Sequence, residues 1–205
     1  QDPQGTVWNG SAQWGLNEGP LNRVAATHTA HPTNNHTRPT RVTWQLGPRM
    51  DWANFNLALS ATIASACCTP QPVRIAVSPL WRGVRVQVSD HTSHWPANWL
   101  VGLGAPWNTI EPEGQMQWQT TQLQWSQQAG VEQLQGHVEL QMQHLSTRLS
   151  TLRPLGTYRV RVQGGDTVAL TLDTLEGSLQ LTGSGQLQNG RLRFNGEASA
   201  APEAE

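Results

Sequence analysis

Along most of this chain, apolar side chains recur at every second position. Val42, Trp44 and Leu46 begin the pattern, and Phe55, Leu57, Leu59, Ala61 and Ile63 carry it on. Val73, Ile75 and Val77 follow, then Val84, Val86 and Val88, with mostly Thr, Gln, Asn, Ser, Ala and Arg between them. A pleated strand sends successive side chains to opposite faces, so a period of two predicts half-buried antiparallel strands with one greasy and one polar face. The second half repeats it at Met116 and Trp118; Val138, Leu140 and Met142; Tyr158, Val160 and Val162; Val168, Leu170 and Leu172; Leu179 and Leu181; Leu192 and Phe194. The pattern predicts an all-β chain.

Turn chemistry falls between these runs at Asn9-Gly10, Gly47-Pro48, Arg82-Gly83, Ala129-Gly130, Gly164-Gly165-Asp166 and Asn189-Gly190. Strands joined so tightly are antiparallel neighbours, which gives an elongated meander. Its apolar face can be hidden in a sandwich or in a curled sheet, and the pattern leaves both open.

One segment lacks alternation. From Ser93 to Asn108, Ser93 can cap, Pro96 suits a first helical turn, and Gly102 or Gly104 stops a helix. A single short central helix of about two turns is expected there, with Trp95, Trp99 and Leu103 on one face. The chain then divides into a β-rich half (1–90), a Trp-rich connector (91–114) and a second β-rich half (115–205), together one domain. Residues 17–40, with His28, His31, His36, Pro32 and Pro39, show no period and are expected to form a mobile loop. Ala198 to Glu205 are expected to fray.

Composition narrows the function classes. The 205 residues carry 13 basic against 14 acidic side chains, and every base is Arg. Without a basic excess there is no phosphate-neutralising surface, so nucleic acid is excluded as a partner. No apolar run approaches the roughly 18 residues of a membrane-spanning helix. Ten Trp against two Phe and one Tyr, with abundant Gln, describe a weakly charged surface dotted with large amphipathic rings.

Catalytic and metal sets do not emerge. His91 and His94 repeat the i, i+3 spacing of His28 and His31, but Asp90 is the one nearby carboxylate and no Cys joins them, so they read as solvated loop histidines. Glu111 and Glu113, in Glu-Pro-Glu-Gly, read as turn formers rather than an acid–base pair. Gly183-Ser-Gly185 lacks nucleophile-elbow spacing, and its glycines mark a bulge or a close backbone approach. Arg82, Arg85, Arg159 and Arg161 read as solvated. No enzyme and no cofactor are expected.

Several runs carry a family likeness. Ser93 to Thr109 (SHWPANWLVGLGAPWNT), Ser150 to Val160 (STLRPLGTYRV), Thr174 to Gln186 (TLEGSLQLTGSGQ), Gly190 to Pro202 (GRLRFNGEASAAP), Gly5 to Ala12 (GTVWNGSA) and the Cys67-Cys68 pair resemble the type II secretion system protein N family. The resemblance implies a Gram-negative inner-membrane component with a short N-terminal anchor and a periplasmic β domain, accessory to the machine that exports folded proteins. The anchor, and a family segment beyond the Ala-Ser-Ala-Ala-Pro stretch, are expected outside these residues. It implies no agreed enzymatic activity, and an architecture often likened to lipid-handling periplasmic proteins.

With that compartment implied, adjacent Cys67 and Cys68 can close a vicinal disulfide, although their Cα atoms, about 3.8 Å apart across a trans peptide, lie below the usual range. A reduced pair at a strand end remains the alternative. Trp44, Trp118 and Trp125 fall in strand registers. Trp95, Trp99 and Trp107, with Asn108, either plug the fold or present a surface to a partner.

The leading expectation is a non-enzymatic scaffold that docks inner-membrane platform or secretin subunits through open strand edges or the Trp segment. A lipid or apolar-ligand groove is the alternative. A carbohydrate module, suggested by the Trp content alone, needs two or three coplanar exposed rings.

Overall fold

The computed structural model describes residues 3–14, 40–51, 56–188 and 190–201. Alternation becomes thirteen antiparallel strands: β1 (Gln4–Gly5), β2 (Asn9–Trp14), β3 (Thr40–Asp51), β4 (Asn56–Ser65), β5 (Val73–Leu80), β6 (Gly83–Val88), β7 (His91–Pro96), β8 (Glu113–Gln128), β9 (Val131–Ser146), β10 (Gly156–Gly165), β11 (Val168–Gly177), β12 (Leu179–Gln188) and β13 (Arg191–Ala200). They form one open sheet in chain order, except that β6 and β7 both pair with β8. The curled-sheet expectation therefore holds, and the sandwich is set aside.

Registers keep one face apolar from strand to strand. Leu59 faces Val77, Val77 faces Val86, Val86 faces Trp125 and Trp125 faces Leu134. Further on, Leu140 faces Val160 and Val160 faces Leu172. These side chains are mostly half-buried, because no second layer covers the sheet among the described residues. The fully enclosed apolar set is small: Ala58, Cys68, Ala97, Met116 and Tyr158.

The sixteen-residue strands β8 and β9 keep this face continuous through irregular positions. The register shifts between Thr121 and Gln124, where Gln122 has φ 49° and Gly136 has φ 91°. The extra residue in β8 brings Trp125 onto the same face as Trp118, which lies an odd number of positions away.

Two turn assignments need correction. Asn9-Gly10 lies inside β2, and Gly47-Pro48 lies inside β3, opposite Ser60 and Leu59. The Leu46 N–H donates to the Trp8 carbonyl, so the same edge of β3 carries the missing Pro48 donor beyond the end of β2, where no ladder bond is lost. Ala198 to Ala200, expected to fray, belong to β13. Phe55, Asn189 and the histidines of the expected 17–40 loop lie outside the described residues.

The single central helix is also corrected. Ser93 and Trp95 belong to β7, paired with Trp118 and Met116. A 3-10 helix follows at Ala97–Leu103, ended by Gly104 at φ 85°, and a separate turn of helix, α1, spans Trp107–Ile110. The strand was hidden because its in-facing positions are His91 and Ser93, and only the third, Trp95, is apolar.

Candidate docking site: an open strand edge and the tryptophan connector

At one end of the sheet, β12 carries Gly183 and Gly185 opposite Gly196 and Phe194. A side chain added at Gly183 would meet the Phe194 ring, so the ring lies over the strand where side chains are missing. The registers on both sides of β12 run without a shift here, which makes the glycine pair a close approach and not a bulge. Gly10 lies against Trp44 in the same way near the other end, and Trp44 Nε1 donates to the Val7 carbonyl at 3.2 Å.

The two ends differ in how they stop. β1 is two residues long, and Pro48 interrupts the donors of β3 where β2 no longer covers it. Both are ways of blunting an edge. β13 has ten residues, all exposed, with no Pro among them, and no described strand lies on its outer side. Ala201 N–H donates to the Ser178 carbonyl at 2.7 Å, and the register continues from there unbroken. Odd-numbered residues from Ser199 back to Arg191 therefore bond to β12, while Leu192, Phe194, Gly196, Ala198 and Ala200 aim their N–H and C=O groups outward.

Inside this end, side chains stand in for backbone. The β10–β11 register shifts at Thr157/Tyr158, and β11 leaves the β12 ladder after Asp173. Thr174 Oγ1 accepts the Leu181 N–H at 2.6 Å and donates to its carbonyl at 2.9 Å. Tyr158 Oη donates to the Leu179 carbonyl at 3.1 Å, and the Leu179 N–H reaches the Leu155 carbonyl. Tyr158 is 1% exposed, and burial pushes its hydroxyl above the ordinary tyrosine range.

The connector brings several of the singled-out residues together. Trp95 and Trp99 rings lie 4.5 Å apart at 58°. Trp107 is 36% exposed, Asn108 is exposed, and Leu103 is 71% exposed, so Leu103 does not join the Trp95–Trp99 pair. Cys67 and Cys68 occupy the turn after β4 with their sulfurs in contact. Cys68 is buried, and its carbonyl accepts the His94 N–H at 2.7 Å, beside Trp95. Thr69 Oγ1 fixes the turn by accepting the Ser65 N–H at 2.7 Å and donating to the Ser65 carbonyl.

Four of the charged candidates have carboxylate or guanidinium partners, while the Arg85 Nε is buried with none among the described residues. Glu111 pairs with Arg148 at 2.8 Å and Glu113 with Arg153 at 3.4 Å, both exposed and worth at most about 1 kcal/mol each. Glu111 caps α1 and Glu113 opens β8. Arg159 and Arg161, expected to be solvated, reach across strands to Glu139 and Asp173 at 3.4 and 2.7 Å. His91 Nδ1 lies 2.7 Å from Thr120 Oγ1. No group of three metal-ligating side chains occurs among the described residues, and no described helix is long and apolar enough to cross a membrane.

No curated protein and no solved structure matches the chain. The model of a protein family described as type II secretion system (T2SS), protein N, matches residues 1–205. The five runs and the cysteine pair that carry the resemblance thus lie within a match over the whole length, and the chain belongs to the type II secretion system protein N family.

Proposed function

We propose that this protein is a non-enzymatic periplasmic scaffold, held at the inner membrane in its full-length form, that receives a strand of another secretion subunit along β13. Family membership supports an accessory component of the type II apparatus that works with the apparatus's other components. One observation carries the docking mode: a ten-residue edge that no described strand covers at one end, while the other end is blunted. Main-chain hydrogen bonds supply affinity in strand addition, and alternate side chains supply selectivity. Leu192 and Phe194 would provide the apolar contacts.

Ala198→Pro tests the mode. It deletes one outward donor and no bond to β12, so folding is expected to be retained. Full-length anchored protein should recover inner-membrane platform or secretin subunits in a pulldown, and the proline variant should recover much less. Equal recovery by both would refute the edge. The connector surface at Trp107 and Asn108 is the second contact candidate, read out by Trp107→Ala in the same assay.

A second reading has its own observation. Val160, Val162, Leu170 and Leu172 are half-buried with no covering layer among the described residues, as an apolar-ligand face would be. Lipid retained in native mass spectra would support it. Spectra showing only bare protein would count against it.

A further inference from the structure

An open cavity lies on the polar face of the sheet, where β6 and β7 diverge along β8. Its volume is about 830 Å³, within the usual size of small-molecule sites. Its lining includes a row fixed by register: Gln87 opposite Gln124, and Gln124 opposite Gln135. Gln87 Nε2 donates to Gln124 Oε1 at 3.0 Å, which holds the two carboxamides in place. Thr62 stands opposite Arg74, and Arg49 reaches the same space from β3. Among the described side chains no carboxylate pairs with Arg49 or Arg74. The carboxylate nearest in sequence to the β6–β7 fork, Asp90, is engaged at 2.5 Å by the Gln122 N–H.

We propose that this cavity binds an acidic oligosaccharide, one bearing carboxylate or phosphate groups on a polyhydroxyl frame. Each carboxamide offers a donor and an acceptor side by side, which suits adjacent hydroxyls. Each guanidinium offers a planar fork that suits a carboxylate or phosphate. Among the described residues that line the cavity none is aromatic, so no described ring offers a neutral sugar a stacking platform and the two charges carry the selectivity. This inference is independent of docking along β13: it stands on the opposite chemistry, side chains on a face instead of backbone on an edge.

Calorimetric titration with trigalacturonate, maltotriose and triglutamate tests it. Trigalacturonate is expected to bind, more weakly as salt rises, and maltotriose to bind at least about tenfold more weakly. Arg49→Gln and Arg74→Gln should each cost about tenfold in affinity, while Arg193→Gln on β13 should cost nothing. Both cavity arginines are exposed, so these variants are expected to melt with the parent, which separates lost binding from lost folding.

The same acidic sugar could be free or displayed on a lipid. Comparing trigalacturonate with phosphatidylcholine vesicles containing monosialoganglioside distinguishes them: tighter vesicle binding assigns a membrane-borne headgroup, tighter trigalacturonate binding a free glycan, and either sustains the site. Absence of trigalacturonate binding overturns the proposal. So does triglutamate binding as tightly, because the site would then read charge alone, and so does binding unaffected by the two arginine substitutions.

Discussion

Replacing Tyr158 by Phe removes one oxygen from the most enclosed large side chain of the sheet. That oxygen donates at 3.1 Å to the Leu179 carbonyl, at a point where β11 has left the ladder and supplies no N–H. An ordinary hydrogen bond contributes about 1 kcal/mol net, and a carbonyl left without a donor costs about 1–3 kcal/mol when buried, so the half-buried Leu179 carbonyl falls in the middle of that range. A loss of about 2 kcal/mol is expected for Tyr158→Phe, which in a chain of this size lowers the melting midpoint by about 4–8 °C. Urea unfolding followed by tryptophan fluorescence gives the free energy. A variant as stable as the parent would refute the claim that side chains complete the β12 ladder.

The same residue gives a pH test. Tyr158 is the chain's one tyrosine, so tyrosinate absorbance reports it alone. Burial raises its folded pKa above the unfolded value of about 10. The protonated form is favoured in the fold, so this contribution is fully present below the unfolded pKa and is lost as pH rises through the folded one. The parent should lose stability over that alkaline window more steeply than Tyr158→Phe does.

Three further outcomes follow from the packing. Thr69→Val should cost about 1–2 kcal/mol in urea unfolding, because the buried Ser65 N–H loses its acceptor; a neutral result would mean that water reaches the turn. Gly183→Val should destabilise by about 1 kcal/mol by displacing the Phe194 ring, although strand propensity alone predicts a gain, so a rise in midpoint would overturn the close-approach reading. Alkylation without reductant should leave the intact mass unchanged, and two adducts should appear only after reduction, if Cys67 and Cys68 are joined in the native protein.

The alternation that defines β4 to β6 and β10 to β12 is written in plain Val, Leu and Ile, and there sequence and structure agree. β7 is not written in the alternation because a strand lying against β8 can place His91 and Ser93 where Val would be expected. β8 and β9 read as short because Gln-rich stretches show no greasy face, although an extra residue at Gln122 keeps the register productive. Gly47-Pro48 and Asn9-Gly10 have turn chemistry, yet tertiary pairing draws them into strands, Gly10 between β1 and β3 and Pro48 where β2 no longer covers β3. Cys67, Cys68, Trp95 and Trp99 stood out by residue type and do cluster, linked through the Cys68 carbonyl and the His94 amide. The β13 edge had no such signal: its openness is a property of what fails to pair with it. Arg49, Arg74 and the Gln row are also invisible in one dimension, since register across six strands, β3 to β6 with β8 and β9, assembles them.

Strand order that follows chain order has a kinetic consequence. Apart from the fork at β8, every rung is laid beside the rung synthesised just before it, and from β3 onward most closures span a short loop, so their entropic cost stays small. A chain delivered from its N-terminus can zip up progressively, each finished strand serving as template for the next arrival. A subunit that added its own strand to β13 would join by repeating that elementary step once more, needing neither rearrangement of the existing rungs nor a preformed pocket.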